Sequence, residues 1–213
     1  MIRVFLLDDH ALVRAGYRMI LQNEVDIEVI GEATSGEEGL PMIKKSLPDV
    51  VLCDLHLPGI SGLEITERLV KGQVGPKVVI VSVQEEGPMP KRLLDAGASA
   101  YVGKACDAKE LLKAIREAAR GRRYVGSELA QRLAFGGNQT TSPFFGLSPR
   151  EMEISMLLCQ GLRAEDIARK LNLSGKTVAT HKSRLMIKLG VNDIMSMARL
   201  AAQHGITEPA KAL

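Results

Sequence analysis

Five short apolar runs, each followed by an amphipathic segment, limit what the N-terminal part of the chain can fold into. The runs are IRVFLL, IEVIGEA, DVVLCD, KVVIVS and ASAYVG. Runs as uniformly apolar as VVLCD and VVIVS are typical of strands buried on both faces, and such strands occur in parallel sheets covered by helices on either side. The sequence therefore predicts a five-stranded, parallel, doubly wound α/β domain.

A different pattern begins at residue 147, where short helical segments follow one another with tight turns between them. In LSPREMEISMLLCQG, Ser148 and Glu151 have the spacing of a capping box, with Pro149 at the first helical position. AEDIARKLN is a second helical segment, and Ser174 caps a third, GKTVATHKSRLMIKL, which Gly190 ends. This succession predicts a small all-α domain that contains a helix-turn-helix.

A stretch of linker composition separates the two patterns. GGNQTTSPFFG is rich in Gly, Ser, Thr and Pro, and it follows the basic segment RGRRY and the helix-like SELAQRLAF. We therefore predict one domain over residues 1–122, a helix and flexible linker over 123–146, and a second domain over 147–208.

Positive charge is concentrated in the second domain. Residues 147–213 contain 10 Lys and Arg against 6 Asp and Glu, whereas residues 1–146 contain 18 against 19. An excess of positive charge favours a polyanion as a partner, although a solvated surface has the same composition about as often. Aromatic residues make up only 3% of the chain, so a nucleic-acid surface built on stacked aromatic rings is not expected.

Cysteine usage and hydropathy bear on the compartment. Cys53, Cys106 and Cys159 are odd in number and have no C-x-x-C or Cys/His spacing, which argues against a disulfide framework and a zinc site. No histidines have i,i+4 spacing, so imidazole metal ligands are not expected either. No apolar run approaches the roughly 20 residues of a membrane span, and no signal peptide is apparent. We expect a reduced, cytoplasmic protein with no membrane partner.

Polar residues stand where the predicted strands end. Asp8 and Asp9 follow the first strand, Asp54 the third, Ser82 the fourth and Lys104 the fifth. Because ligands of open parallel sheets bind beyond the carboxyl ends of the strands, we expect these side chains to converge on one rim. Adjacent carboxylates repel one another, so the cluster calls for a cation, and an all-oxygen ligand set suits Mg²⁺.

The same rim is suited to hold a phosphoryl group. The hydroxyl of Ser82, the ammonium of Lys104 and Mg²⁺ would surround the Asp54 carboxylate and offset the negative charge of such a group. We therefore interpret Asp54 as a phosphoryl acceptor. An aspartate-nucleophile phosphatase would use related chemistry, but such enzymes carry an Asp-x-Asp pair after the first strand, whereas Asp9 here directly follows Asp8.

These residues resemble the receiver domain of bacterial two-component response regulators over residues 1 to about 120. The resemblance rests on Asp8, Asp9, Asp54, Pro58, Gly62, Ser82, the AGA at residues 96–98, Tyr101 and Lys104. It implies a flavodoxin-like fold and a partner histidine kinase that donates phosphate to Asp54. It also implies that Asp9, Asp54 and the backbone carbonyl of His56 hold Mg²⁺ directly. Asp8 would act through water.

The resemblance further assigns a switch pair to Ser82 and Tyr101, with Lys104 binding the phosphoryl group. The Ser82 hydroxyl would move toward that group and the ring of Tyr101 would turn inward behind it, which changes the neighbouring face of the domain. One departure from the family pattern lies here, since Val83 replaces the usual small residue beside the switch hydroxyl.

Prolines mark two further departures. Pro41 lies inside the expected second helix, so we predict that this helix starts late or kinks. Pro88 and Pro90 fall where the fourth helix should begin, and we predict a late-starting, mobile fourth helix.

The third helical segment of the second domain has two distinct faces. At about 100° per residue, Val178, Leu185 and Leu189 stack as a buried stripe, and a small polar face lies opposite. The candidate DNA contacts on that face and its flanks are Lys176, Thr177, Thr180, His181, Lys182, Ser183, Arg184 and Lys188. Such a face suits the major groove, with the basic flank against phosphates, although an ordinary solvated helix has a similar composition.

The segments LSPREMEI, DIARKL, KTVATHKSRL and KLGV together resemble the output domain of the NarL/FixJ (LuxR-type) transcription factors, over residues 147 to about 205. RLLDAGASAYVGK and RRYVGSELAQRLA look most like the GacA/UvrY group of global regulators. The chain departs from the pattern at residues 162–166, which read LRAED, and at Ala179, where a base-contacting Lys or Asn is common. Its target preference is therefore expected to differ from that of its relatives.

We therefore expect a phosphorylation-activated DNA-binding transcription regulator of a two-component system rather than an enzyme. Its partners would be DNA, a cognate sensor histidine kinase and, when phosphorylated or DNA-bound, a second copy of the chain. Two alternatives remain, namely a regulator of the same build that ignores phosphate and a receiver whose second domain docks protein. The intact acid and lysine set disfavours the first, and the basic, small-residue face disfavours the second.

Overall fold

The computed structural model describes residues 1–58, 60–71, 75–83, 89–135, 142–204 and 206. The chain divides into two compact units, one formed by Met1–Glu85 with Pro90–Phe135 and the other by Glu86–Met89 with Gly136–Leu213. In the described residues the first unit combines a sheet with helices, whereas the second is helical.

Six strands in the described part of the first unit form one parallel sheet. They are β1 (Ile2–Leu7), β2 (Ile27–Ala33), β3 (Val50–Asp54), β4 (Lys77–Ser82), β5 (Ala100–Gly103) and β6 (Tyr124–Val125), in the order β2-β1-β3-β4-β5-β6. Every residue of β3 and β5 is buried, as a sheet covered on both faces requires. The direction of winding changes at β1, between β2 and β3, where open α/β sheets form a crevice at their carboxyl edge.

Helices cover both faces of this sheet. They are α1 (Ala11–Gln22), α2 (Gly36–Ser46), α3 (Gly62–Val70), α4 (Met89–Asp95), α5 (Ala108–Ala119) and α6 (Ser127–Phe135). Helices α1 and α5 share a core with Val4 and Leu6 of β1, whereas α2 approaches Leu7. Because side chains alternate along a strand, Leu6 and Leu7 point to opposite faces, so α2 lies on the other side of the sheet from α1 and α5.

The prediction of five strands is wrong by one. The additional strand, β6, pairs with β5, with Ala100 opposite Tyr124 and Tyr101 opposite Val125. A run of two residues is too short to show the alternation by which strands are recognised in a sequence. Pairing with the free edge of β5, rather than a local pattern, produces this strand.

The helix after β6 is tied to α5 by Glu110. Its Oε1 accepts hydrogen bonds from the backbone N–H of Ser127 at 2.9 Å, from the Ser127 hydroxyl at 3.3 Å and from the phenol of Tyr124 at 3.3 Å. The first N–H groups of a helix lack partners within it, so this carboxylate caps α6 from a neighbouring helix. Both β6 and α6 therefore pack within the first unit.

The prediction from Pro41 that helix α2 starts late is wrong. It begins at Gly36 and continues through the proline to Ser46. Ser35 Oγ accepts from the backbone N–H of Glu38 at 3.3 Å, and Glu38 Oε2 accepts from that of Thr34 at 3.0 Å. These two caps fix the first turn before the chain reaches Pro41, and they outweigh the one backbone hydrogen bond that the proline removes.

Helix α4 contains Pro90 in its first turn. A proline is tolerated there because the first N–H groups of a helix have no partner within it. Pro88 lies outside the described residues, so its effect on the start and mobility of α4 stays a prediction.

The described part of the second unit contains four α-helices after a short 3-10 helix, Pro143–Gly146. They are α7 (Pro149–Cys159), α8 (Ala164–Lys170), α9 (Gly175–Leu189) and α10 (Ile194–Gln203). The predicted capping box is confirmed, since Ser148 Oγ accepts from the Glu151 N–H at 3.3 Å and Glu151 Oε2 accepts from the Ser148 N–H at 2.7 Å. Gly190 ends α9 with a φ of +66°.

None of the helices in the described part of the chain combines the length and the hydropathy that crossing a membrane requires.

Candidate functional site

Neighbouring strands bring the predicted rim residues together in the first unit. Asp8 follows β1 and Asp54 ends β3, and these two strands are hydrogen-bonded neighbours. Ser82 ends β4, and its carbonyl oxygen accepts from the backbone N–H of Lys104, just beyond β5, at 2.8 Å. The convergence at the carboxyl edge of the sheet is therefore as the sequence predicts.

The ammonium of Lys104 bridges two of the carboxylates. Its Nζ lies 2.8 Å from Oδ2 of Asp54 and 2.9 Å from Oδ2 of Asp8. The side chains of both aspartates are only 3% exposed, and that of Lys104 is 15% exposed. Two largely desolvated negative charges thus share one positive charge, which leaves the pocket short of positive charge.

The pKa values of Asp54 and Lys104 are both shifted in this pocket. Burial raises the pKa of Asp54 above its ordinary value, although hydrogen bonding to Lys104 and to the backbone amide of His56 lowers it. Burial lowers the pKa of Lys104, but its hydrogen bonds to Asp54 and Asp8 outweigh that effect and raise it. A further cation beside Asp54 would relieve the cost of its buried charge.

Asp9 and His10 occupy the open side of the cluster. The His10 Nδ1 lies 2.9 Å from Oδ1 of Asp9 and 3.3 Å from Oδ1 of Asp8. Within the described residues, potential ligand atoms of Asp8, Asp9, His10 and Asp54 all lie within 4.8 Å of one another. The sequence analysis expected no histidine among the potential metal ligands. The position of His10 directly after Asp9 was the feature of the sequence that could have indicated its place in this cluster.

The two residues predicted as a switch pair are both inside the domain. Ser82 and Tyr101 are each 0% exposed, and Tyr101 is the largest of the fully buried side chains. Val83, the residue that departs from the family pattern, is 76% exposed. Tyr101 therefore occupies an inward position.

Gly62, the first residue of α3, lets this helix approach the end of β3. A Cβ built at this position would overlap the carbonyl oxygen of Asp54 and lie 2.9 Å from the Cα of Leu55. The backbone N–H of Gly62 donates to the carbonyl oxygen of Leu55 at 3.0 Å. A residue without a side chain is therefore part of what holds the Asp54 backbone in place.

In the second unit, α9 buries one face and exposes the other. The predicted stripe is confirmed, since Val178, Leu185 and Leu189 are buried. On the opposite side, Thr180 Oγ1 donates to the Lys176 carbonyl oxygen at 2.9 Å, and Ser183 Oγ donates to that of Ala179 at 3.0 Å. These hydroxyl protons are used within the helix. The oxygen lone pairs of both side chains and the Thr180 methyl group remain available to a ligand.

The other candidate DNA contacts on α9 divide into exposed and engaged side chains. Lys176 and Arg184 are exposed and Lys182 is half-buried, whereas the Thr177 hydroxyl lies 2.8 Å from the Ser174 hydroxyl at the helix start. His181 is half-buried, and its Nδ1 has no hydrogen-bond partner among the described residues. Burial lowers the pKa of His181 and so favours its neutral imidazole.

Lys188 has a partner that the sequence did not indicate. Its Nζ lies 2.6 Å from Oε2 of Glu151, the capping-box carboxylate, whose side chain is 5% exposed. Burial raises the pKa of Glu151, but its hydrogen bonds to Lys188 and Ser148 outweigh this and lower it. Lys188 therefore has an internal structural role in addition to any contact with a ligand.

Comparison with known proteins finds two family matches. The response regulator receiver domain matches residues 4–116, and the family described as bacterial regulatory proteins, luxR family, matches residues 146–201. The receiver match contains the acidic cluster and Lys104, and the luxR match contains the whole of α9.

Relatives and a solved structure cover nearly the whole chain. The response regulator GacA of Pseudomonas aeruginosa is 41% identical over 213 residues, which are 99% of this chain and 100% of that protein. The response regulator UvrY of Escherichia coli K12 is 38% identical over 209 residues, which are 97% of this chain and 96% of that protein. RcsB from Salmonella enterica serovar Typhimurium, solved bound to a promoter with the phosphomimetic BeF3⁻, is 25% identical with a TM-score of 0.69. That alignment covers 95% of this chain and 98% of RcsB. The resemblances inferred from the sequence are thereby confirmed.

Proposed function

Because the chain belongs to the two-component response regulators with a receiver domain and a LuxR-type DNA-binding domain, it is a phosphorylation-controlled transcription regulator, and we propose that Asp54 accepts its phosphoryl group. The observation that carries this assignment is the bridge from Lys104 Nζ to Asp54 and Asp8. It marks Asp54 as a carboxylate at the crevice of the sheet with a cation already beside it. An incoming phosphoryl group would share that cation.

The acidic cluster fits Mg²⁺, since it offers carboxylate oxygens at an open, electron-rich rim that is short of positive charge. Asp9, Asp54 and the backbone carbonyl of His56 would hold the ion, with Asp8 acting through water. Bound Mg²⁺ would offset the negative charge that the phosphoryl group brings to Asp54. Lys104, on the Oδ2 side of Asp8 and Asp54, would supply the second positive charge.

Ser82, Tyr101 and Lys104 are proposed to report the modification to the rest of the receiver. Ser82 is at the rim, and its carbonyl oxygen is hydrogen-bonded to the backbone of Lys104, so a shift of one strand end displaces the other. The buried Tyr101 corresponds to the inward position that the switch scheme assigns to the phosphorylated form. We infer that the unphosphorylated receiver also samples an arrangement in which this ring is turned outward.

Helix α9 is proposed as the recognition helix. Its exposed face presents Thr180 and Ser183 with their hydroxyl protons turned back to the helix, and Lys176 and Arg184 beside them. Small polar side chains suit base edges and cations suit phosphates, so this face would enter the major groove. RcsB bound to a promoter is a relative in which DNA binding has been seen.

A sensor histidine kinase would donate the phosphate, and a second copy of the chain would complete the DNA complex. One short recognition helix reads only a few base pairs, which is too little for the affinity of about 10⁻⁸ M or tighter expected of a specific regulator. We therefore propose a homodimer in the phosphorylated or DNA-bound state. Because its target is DNA, the cytoplasm is its proposed compartment, and its role is regulatory rather than enzymatic.

The assignment of Asp54 is tested by labelling the full chain with a small acyl-phosphate donor and Mg²⁺. Wild type should gain one phosphoryl group and bind its target more tightly, and Asp54→Ala should do neither. Glu28→Ala is a matched control, because it removes an exposed carboxylate of β2 and leaves the acidic cluster and the acceptor in place. Labelling of Asp54→Ala equal to that of wild type would refute the assignment, and equal DNA binding by labelled and unlabelled wild type would favour a regulator that ignores phosphate.

A further inference from the structure

Helix α9 presents a large apolar side chain to solvent on the same side as its small polar face. Ile187 is 80% exposed, more than any other large apolar side chain in the described part of the second unit. Single exposed apolar residues are common on protein surfaces, so exposure alone assigns Ile187 no role. Its position on the helix and its charged neighbours do.

Ile187 continues the line of Lys176, Thr180 and Ser183 along α9. At about 100° per residue, it lies within about 20° of Thr180, which is seven residues earlier, and about 40° from Ser183. It lies about 180° from Val178 of the buried stripe. Ile187 therefore belongs to the face that is proposed to enter the major groove.

The charges around Ile187 favour DNA over an apolar protein surface as its partner. Helix α9 contains four Lys and Arg and no Asp or Glu. Arg184, three residues before Ile187 and so on the neighbouring turn, is exposed. An apolar protein surface that covered Ile187 would also remove this guanidinium from water without offering it a negative charge. DNA offers both kinds of contact, since thymine methyl groups line the major groove and phosphates lie at its edges.

The residues beside Ile187 on this face have few hydrogen-bond donors for reading bases. Ala179 is exposed and offers only a methyl group, and the hydroxyl protons of Thr180 and Ser183 are used within the helix. Thymine is the base that presents a methyl group in the major groove, so an apolar side chain can recognise it without a hydrogen bond. The composition of the face therefore favours targets that contain thymine.

We propose that Ile187 recognises a thymine through the C5 methyl group of the base, about three base pairs from the base that faces Thr180. The separation follows from a rise of about 1.5 Å per residue over seven residues and a spacing of about 3.4 Å between successive bases. Ile187 is then a specificity-determining residue that discriminates thymine from cytosine, which has no methyl group. The inference rests on the proposed function, because α9 must enter the major groove.

The experiment is a double-mutant cycle between Ile187→Ala and deoxyuridine, which pairs as thymidine does but has no C5 methyl group. A target is selected from random DNA with the wild-type full chain, acyl-phosphate donor and Mg²⁺, and each thymidine of one half-site is then replaced in turn. Fluorescence anisotropy measures the affinities. We expect one replacement to weaken binding of wild type by about three- to fivefold, as for one buried methyl group, and binding of Ile187→Ala by less than about 1.5-fold.

Met195→Ala is the matched control, since it removes another exposed apolar side chain of the same domain. It should be as sensitive to the deoxyuridine as wild type is. Because Ile187 is exposed, Ile187→Ala should keep the unfolding midpoint of wild type, so that a change in its binding is not a loss of folded protein.

Selected half-sites without thymine would overturn the inference. So would an Ile187→Ala variant that is as sensitive as wild type to every deoxyuridine, and if its affinity were also lower for all sequences, Ile187 would contact a second copy of the chain instead of a base. Failure of the proposed function looks different. Wild-type binding by both Lys176→Met and Thr180→Ala would show that α9 is not the recognition helix, whereas altered binding by these two variants without coupling at Ile187 would refute the thymine contact alone.

Discussion

The Nζ of Lys188 in the last turn of α9 lies 2.6 Å from Oε2 of Glu151 in the first turn of α7. The same oxygen accepts the Ser148 N–H of the capping box at 2.7 Å. A cation from the proposed recognition helix thus completes the start of another helix. The position of α9 within the domain depends on a side chain that the sequence analysis assigned to DNA alone.

We expect Lys188→Met to destabilise the DNA-binding domain. The substitution keeps much of the apolar stem but leaves the buried Glu151 carboxylate without its cation, which should cost about 1–2 kcal/mol of unfolding free energy after allowing for the 44% exposure of the Lys188 side chain. Urea unfolding followed by circular dichroism measures it. Lys176→Met is the control, since Lys176 is exposed and should change stability by less than about 0.5 kcal/mol. Equal unfolding midpoints for wild type and Lys188→Met would contradict the structural role.

Lys104→Met should separate acceptance of phosphate from response to it. The ammonium bridges Asp54 and Asp8, so its removal takes away the cation that would follow the phosphoryl group but leaves the acceptor oxygen. We expect the variant to be labelled by an acyl-phosphate donor and to lose most of the gain in DNA affinity that labelling gives wild type. Gel separation of labelled protein and a DNA titration measure the two quantities. Lys109→Met, at an exposed position on α5, is the control, and a full response in Lys104→Met would exclude a reporting role.

The strand-end chemistry was accessible from the sequence because apolar runs locate strands and a parallel sheet places their carboxyl ends together. The placement of Asp54 and Lys104 at this edge follows from that rule alone. The Lys188–Glu151 contact was not accessible, since it joins residues 37 positions apart through the packing of α7 on α9. Pattern recognition also missed β6, which is too short to have a pattern. Pro41 misled it, because the caps at Ser35 and Glu38 determine where α2 begins.

Thr180→Ala should relax specificity more than it weakens binding. The substitution removes a methyl group and an oxygen acceptor that point away from the α9 core, so we expect a loss of about 1–3 kcal/mol on the true target and little on random DNA.

Lys176→Met removes an exposed cation instead. It should weaken binding to every sequence and reduce the slope of log K against log salt by about one unit. Fluorescence anisotropy at several salt concentrations measures both, and an unchanged specificity ratio in Thr180→Ala would show that this face does not read bases.

His181 should make the stability of the DNA-binding domain depend on pH. Its pKa is lowered in the folded state by burial, so the unfolded chain binds more protons between the folded and unfolded pKa values. The free energy of unfolding therefore rises with pH in that window. This contribution to stability is fully present above the unfolded pKa of about 6.5 and is lost as the pH falls toward the folded pKa. His181→Gln should flatten this dependence below about pH 6.5. Chemical unfolding across that range measures it, and identical slopes for wild type and variant would show that the imidazole is not the source.

Gly62 has a consequence for how this protein can vary. Any side chain at this position would press on the carbonyl oxygen of Asp54, so substitution by even alanine moves the backbone of the proposed acceptor while leaving every chemical group of the pocket intact. A change of this kind would escape a search for altered charges or lost hydrogen bonds. We therefore expect the absence of a side chain at residue 62 to be as necessary for function as the carboxylates of the site. A library that randomises residue 62 should return only glycine among its functional clones.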